Sequence, residues 1–191
     1  MKKTILKGRK NVEKRLIDSA AELLSSLGPN QLSIRDIALH AGVNHAQIHH
    51  YFGSKYALLK AAMSKLSRDH WDQTQTNGNL PLKGLERGQA YALAVVRCAI
   101  DGEIELATQH IRDKISVPKK VLDNVIEHQS ASRTPTDAKC HVAIPIAIEM
   151  GWAVLEPYIF ATLDVKPDEI EVVRGHVIAT LETMLKDMSF A

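Results

Sequence analysis

Apolar residues along this chain recur three and four positions apart and never alternate for long as they would in a strand. Val12, Leu16, Ala20, Leu23, Leu24 and Leu27 fall on one face of a helix over about 11–27, and Gly28-Pro29-Asn30 ends it. Ser33 then reads as an N-cap, with Asp36 as its capping-box partner. A short helix follows, with Ile34, Ile37, Ala38 and Ala41 turned inward. Gly42 turns the chain. Asn44 is expected to cap a second short helix, with Gln47 in the capping-box position and Ile48, Tyr51 and Phe52 inward. Gly53 breaks it, and Ser54 caps a longer helix carrying Leu58, Leu59, Ala62, Met63 and Leu66.

Residues 73–81 are polar, contain Asn77-Gly78-Asn79 and read as a loop. Five further helices are expected, over about 82–101, 103–115, 118–131, 137–163 and 167–188. The fourth is apolar almost all round, as a helix buried on most sides should be, and Pro145 and Pro157 are expected to kink or interrupt it. The fifth carries a narrower stripe: Ile170, Val173, Val177, Leu181, Met184, Leu185 and Met188. These two helices either pack on their own domain or form a subunit interface. A 191-residue chain can hardly cover both faces alone, which favours the interface.

Composition agrees with an all-α fold: 45% of residues are hydrophobic and only 5% aromatic. The net charge of +2 says little, but its distribution is informative. Residues 1–60 hold ten Lys/Arg against four Asp/Glu, and the remainder fourteen against eighteen. This suggests a basic head that meets a polyanion and a near-neutral body; a basic, partly disordered tail would give the same asymmetry. Two distant cysteines, Cys98 and Cys140, fit neither a disulfide framework nor a zinc ribbon. The N-terminus lacks the apolar stretch of a signal peptide, and the longest strongly apolar uncharged run, 140–148, is far short of a membrane span. A cytoplasmic protein without membrane contact is expected, associated with the nucleoid if it binds DNA.

The stretch 33–52 carries the function. Two short helices meet at Ala41-Gly42-Val43, and the helix over 11–27 completes a small core. That is the layout of a helix-turn-helix, whose second helix enters the major groove. His45, Gln47, His49 and His50 are polar and face away from Ile48 and Phe52, and a Gln amide can both donate and accept at an adenine edge. Ser33 and Asn44 sit at helix N-termini, which favour phosphate, and Lys55 stands beside the N-terminus at Ser54.

The string LSIRDIALHAGVNHAQIHHYFGSKYALLKAAM, residues 32–63, resembles the TetR family of repressors. Ile37-Ala38, Ala41-Gly42-Val43, Ile48, Tyr51-Phe52, Ser54-Lys55 and Leu58-Leu59 carry the resemblance, which extends over about 11–66. It implies a homodimer with a DNA-binding domain over 1–53 and a helical effector-binding and dimerisation domain over 54–191. Residues 44–50 would form the recognition helix on a near-palindromic double-stranded operator. Ser33, Lys55 and Arg35 would contact phosphates. The last two helices would build a four-helix interface, with Trp152, Leu155, Ile159, Val173, Val177, Leu181 and Met184 in it. A small-molecule effector would move the helix after Ser54 and release the DNA. The chain departs from the family pattern at His49, where Tyr is usual, at Ala46, where Gly is frequent, and at Tyr56, where an acid is common.

Other constellations weigh less. His45 and His49 are spaced for one metal but lack a third ligand, so no metal and no cofactor is expected. Arg97 and Cys98, in an apolar helix, and Trp152 are candidates for lining a ligand pocket, against ordinary core roles. Asp101, Glu103 and Glu105 more simply straddle a helix end at Gly102 than form a catalytic pair. No phosphate loop, nucleophile elbow or dinucleotide fingerprint is present, which argues against an enzyme. A ligand-independent architectural DNA binder, or one with a cell-division role, is the remaining rival.

Overall fold

The computed structural model describes residues 2–76, 90–128 and 134–190, with side chains over 8–73, 90–128 and 134–184. Among the described residues there are ten helices and no strand: α1 Lys2–Leu27, α2 Ile34–His40, α3 Ala46–Phe52, α4 Lys55–Thr76, α5 Ala90–Ile100, α6 Ile104–Ala107, α7 Gln109–Arg112, α8 Val117–His128, α9 Pro135–Thr162 and α10 Ile170–Phe190. The expected loop Asn77-Gly78-Asn79 and the start of the helix expected over 82–101 lie outside the described residues, as do the side chains of Leu185 and Met188.

Several boundaries differ from the sequence reading for local reasons. α1 begins nine residues early, because Lys and Leu favour helix and the single Gly8 costs only about 1 kcal/mol. The helix expected over 103–115 is two short ones broken at Thr108, whose hydroxyl bonds back to the Ile104 carbonyl at 2.8 Å. α9 starts at Pro135 because Thr134 and Asp137 form a capping box and proline suits the first helical turn. It runs through both Pro145 and Pro157 without interruption, and Pro145 is itself buried.

The main core joins Leu16, Ala20 and Leu24 of α1 to Ile37 of α2, Ile48 of α3, Leu58, Leu59 and Met63 of α4, Ala94 and Cys98 of α5 and Leu106 of α6. It is continuous across residue 53, so α1 to α3 sit directly on α4 and α5. A second cluster lies between α9 and α10, around Trp152 and Leu181. There Trp152 donates to Glu156 at 2.8 Å, and Arg174 of α10 clamps the same carboxylate through Nε, at 2.9 Å, and Nη2. By length and composition α9 is apolar enough to cross a membrane, contrary to the sequence reading, which counted only its longest uncharged run. Here it packs against α5, α8 and α10, and its carboxylates Glu149 and Glu156 are on the packed side, 6% and 7% exposed.

Candidate nucleic-acid interface

The turn between α2 and α3 is set by hydrogen bonding. Gly42 adopts φ +63°, its N–H donates to Leu39 at 3.1 Å, and the N–H of Val43 donates to Ala38 at 3.0 Å. This Schellman closure needs the left-handed residue that glycine supplies. Ile37 and Ala38 on one side and Ile48 on the other are buried, which fixes the rotation of α3 and leaves His45, Ala46, His49 and His50 exposed and Gln47 half-exposed. Asn44 caps α3 in a modified way. Its Oδ1 accepts from the Ala46 N–H at 2.9 Å, while His45 occupies the cap position in helical conformation, and Gln47 uses its N–H on the Asn44 carbonyl.

Two side chains of this face, His49 and His50, have partners within the head. His49 Nδ1 lies 3.2 Å from the Gly53 carbonyl, a geometry that places a proton on Nδ1. Nε2 then accepts in the neutral ring and donates to a phosphate only as imidazolium. His50 meets Tyr51 edge-on at 5.0 Å, and Arg9 of α1 lies over the other participant, the Tyr51 ring, at 5.6 Å.

Two expected phosphate contacts are already engaged. The Ser33 hydroxyl donates to Asp36 at 2.5 Å and accepts from the Asp36 N–H at 3.1 Å; that donation, with the Ser33 backbone N–H donating to the same carboxylate at 3.1 Å, holds the Asp36 carboxyl below the usual range. The Lys55 ammonium donates to the Pro29 carbonyl at 2.9 Å and to Leu32 at 2.6 Å. Lys55 thus ties the start of α4 to the loop before α2, with one N–H remaining. Arg35 is exposed in the first turn of α2. Ser54 caps α4 as expected, through the Ala57 N–H at 3.1 Å.

Each residue expected to line a pocket has packing or hydrogen-bond partners within the chain. Arg97 donates to the Ser25 carbonyl at 2.9 Å and joins α5 to the end of α1. Cys98 is fully buried in the main core, and burial, then Asp101 and Glu103, push its thiol up to about 12. Trp152 and Leu181 are buried within the chain. Ile159, Val173 and Val177 pack half-buried around them, while Leu155 and Met184 are exposed. Also exposed are Ile144, Val154 and Tyr158 on α9 and Val172 on α10. Among the described residues no group of three metal-ligating side chains occurs.

A cavity that the sequence reading missed lies between α4, α5, α8 and α9, lined by His70, Tyr91, Val121, Val142, Ile146 and Glu149 among others. His70 stacks on Tyr91 at 4.6 Å, and the Tyr91 hydroxyl pairs with His110 at 3.1 Å. Burial, with help from His110, holds His70 down to about 4, and burial alone pushes Glu149 up to about 8. The signal available in sequence was a lone acid within the apolar stretch of α9, seven residues before Glu156 and so on the same helix face.

The profile described as bacterial regulatory proteins, tetR family, matches residues 16–62, which comprise the C-terminal part of α1, all of α2 and α3 and the start of α4. Among curated relatives, an HTH-type transcriptional repressor of Mycobacterium tuberculosis is 27% identical over 158 residues, 78% of this chain and 76% of its own. The HTH-type transcriptional regulator BetI of Agrobacterium fabrum is 43% identical over 56 residues, 29% of this chain and 27% of its own. A solved TetR-family regulator from Rhodococcus sp. shares the fold, with TM-score 0.63 at 16% identity over 92% of this chain and 99% of its own.

Proposed function

We propose that this chain, which belongs to the tetR family of bacterial regulatory proteins and is a DNA-binding transcriptional regulator, represses as a homodimer that a small-molecule effector releases from its operator. The observation that carries this reading is α3, held by the Schellman turn at Gly42 with His45, Gln47, His49 and His50 on its outer side. Such a helix enters the major groove, where His45 and Gln47 read bases while Arg35 and the helix N-termini position the head on phosphate.

A dimer supplies the second head. The exposed apolar residues Ile144, Val154, Leu155, Tyr158, Val172 and Met184 suit a contact between the α9–α10 pairs of two chains. Release then works through α4. This helix starts at Lys55 against the head and reaches the cavity at His70, so a ligand that displaces His70 shifts the head spacing. A regulator of this kind acts in the cytoplasm, on the nucleoid. Its relatives are named as regulators rather than enzymes.

Fluorescence anisotropy on the chain's own upstream DNA and on a scrambled duplex, at two salt concentrations, tests the reading. Specific binding tighter by about a thousandfold or more supports it. Equal, weak binding to both would mean an architectural head or an operator elsewhere, to be separated by genome-wide site mapping.

A further inference from the structure

We propose that the cavity between α4, α5, α8 and α9 binds a small organic cation with an apolar body, its charged group paired with Glu149. The proposal rests on reading the C-terminal half as effector-responsive, and it specifies the effector's chemistry.

Glu149 is 6% exposed, and its Oε1 has no hydrogen-bond partner. A buried carboxyl oxygen left unpaired is costly and marks a place where a ligand donor belongs. The groups around it leave that role open. α8 presents only Val117, Pro118 and Val121 to the cavity, and α9 adds Val142, Pro145, Ile146 and Met150. The titratable neighbours are His70 from α4 and Tyr91 from α5, with His110 of α7 behind Tyr91. Among the described residues no Lys or Arg lines the cavity. An anion would therefore meet a carboxyl and no counter-charge. A cation meets a carboxyl, and the stacked His70 and Tyr91 rings offer it a π face. The apolar walls suit a hydrocarbon body.

The free volume is about 20 Å³, room for about one water, so an organic ligand must part the walls. One of those walls is α4, which carries the head. Burial keeps the Glu149 proton to about pH 8. A cation entering at neutral pH expels that proton to solvent and leaves a carboxylate–cation pair. His70 remains neutral and adds no competing charge.

Isothermal titration calorimetry of the full chain tests this with 3-phenylpropylammonium and the uncharged 3-phenylpropan-1-ol, in two buffers of different ionisation enthalpy. The ammonium should bind with release of close to one proton at pH 6.5, and its affinity should rise by about tenfold per pH unit until pH approaches 8. Glu149→Gln should abolish the proton release and weaken the ammonium by about tenfold or more at pH 8, while the alcohol binds both proteins alike. Ammonium binding that is indifferent to Glu149→Gln, or that releases no proton, overturns the proposal. So does absence of ammonium binding at millimolar concentration. Proton release and the pH slope of the wild type decide the matter even if the variant fails to fold. Operator anisotropy on the same samples separates the two readings. Specific DNA binding without ammonium binding sinks this site alone, whereas Glu149-dependent ammonium binding that leaves DNA binding untouched sinks effector release alone.

Discussion

The carboxylate of Asp101, in the turn that follows α5, accepts a hydrogen bond at 3.0 Å from the backbone N–H of Asn30, 71 residues earlier. Beside it Arg97 holds the Ser25 carbonyl, and on the other side Lys55 holds those of Pro29 and Leu32. The loop between α1 and α2 is thus gripped by α5 and α4 together, and these two helices also wall the Glu149 cavity through Tyr91 and His70. Head and body therefore meet at this short loop as well as across the continuous core.

Asp101→Ala removes the acceptor for Asn30 and should lower unfolding free energy by about 1 kcal/mol, read by urea denaturation. Arg97→Ala should cost a similar amount. Unchanged denaturation midpoints in both variants would show that the grip contributes nothing.

Gly28 has φ +83°, and an added Cβ would meet the Arg97 Cβ and an Asp101 Oδ2, each at 3.2 Å. Gly28→Ala combines backbone strain with crowding against α5, so a loss of about 1–3 kcal/mol is expected in the same assay. A neutral result would mean that α5 yields easily at this point.

Lys55 and Arg35 should separate by assay. Arg35→Ala should weaken specific and random DNA alike and reduce the salt slope by about one unit, with little change in stability. Lys55→Ala should lower unfolding free energy by about 1–3 kcal/mol, because two carbonyls lose a charged donor. If Lys55→Ala alters only the salt slope, its ammonium serves phosphate rather than the loop.

His45→Ala and Gln47→Ala should each cost about 1–3 kcal/mol on the specific operator and almost nothing on a scrambled duplex, measured by anisotropy. Equal losses on both duplexes would reassign these side chains to the DNA backbone.

Two buried groups give stability opposite pH slopes. Unfolded His70 titrates near 6.5 and folded His70 near 4, so between those values the unfolded chain binds the extra proton and stability falls as pH drops. Glu149 titrates near 4.5 unfolded and about 8 folded, so the folded chain holds the extra proton and stability falls as pH rises through that window. Above pH 6.5 only the Glu149 slope remains of the two. Wild-type unfolding free energy should therefore fall by up to about 2 kcal/mol between pH 6.5 and 8, and Glu149→Gln should remove that fall. Equal profiles for the two proteins would contradict the assignment.

The helix-turn-helix was legible because its determinants are local. Ser33 with Asp36, Gly42 between two apolar pairs, and Ser54 before Lys55 act within a few residues, and each does structurally what its spacing implied. The functional residues of the body were not legible in the same way. Arg97, Cys98 and Trp152 looked like pocket residues by type, yet they serve the loop, the main core and the α9–α10 contact. Residue type gives a side chain's chemistry, but its surroundings come from helices far away in sequence.

By itself the sequence determined the all-α class, the turn chemistry of the head and the face that α3 turns outward, since periodicity and capping depend on neighbours three or four positions apart. Only the tertiary structure decided that Lys55 points into the loop before α2, that Trp152 and Leu181 are internal, and that Glu149 meets His70 and Tyr91 in one cavity. Those outcomes depend on how α4, α5, α8 and α9 cross. Long-range packing sets that crossing, and with it the dielectric around each buried charge.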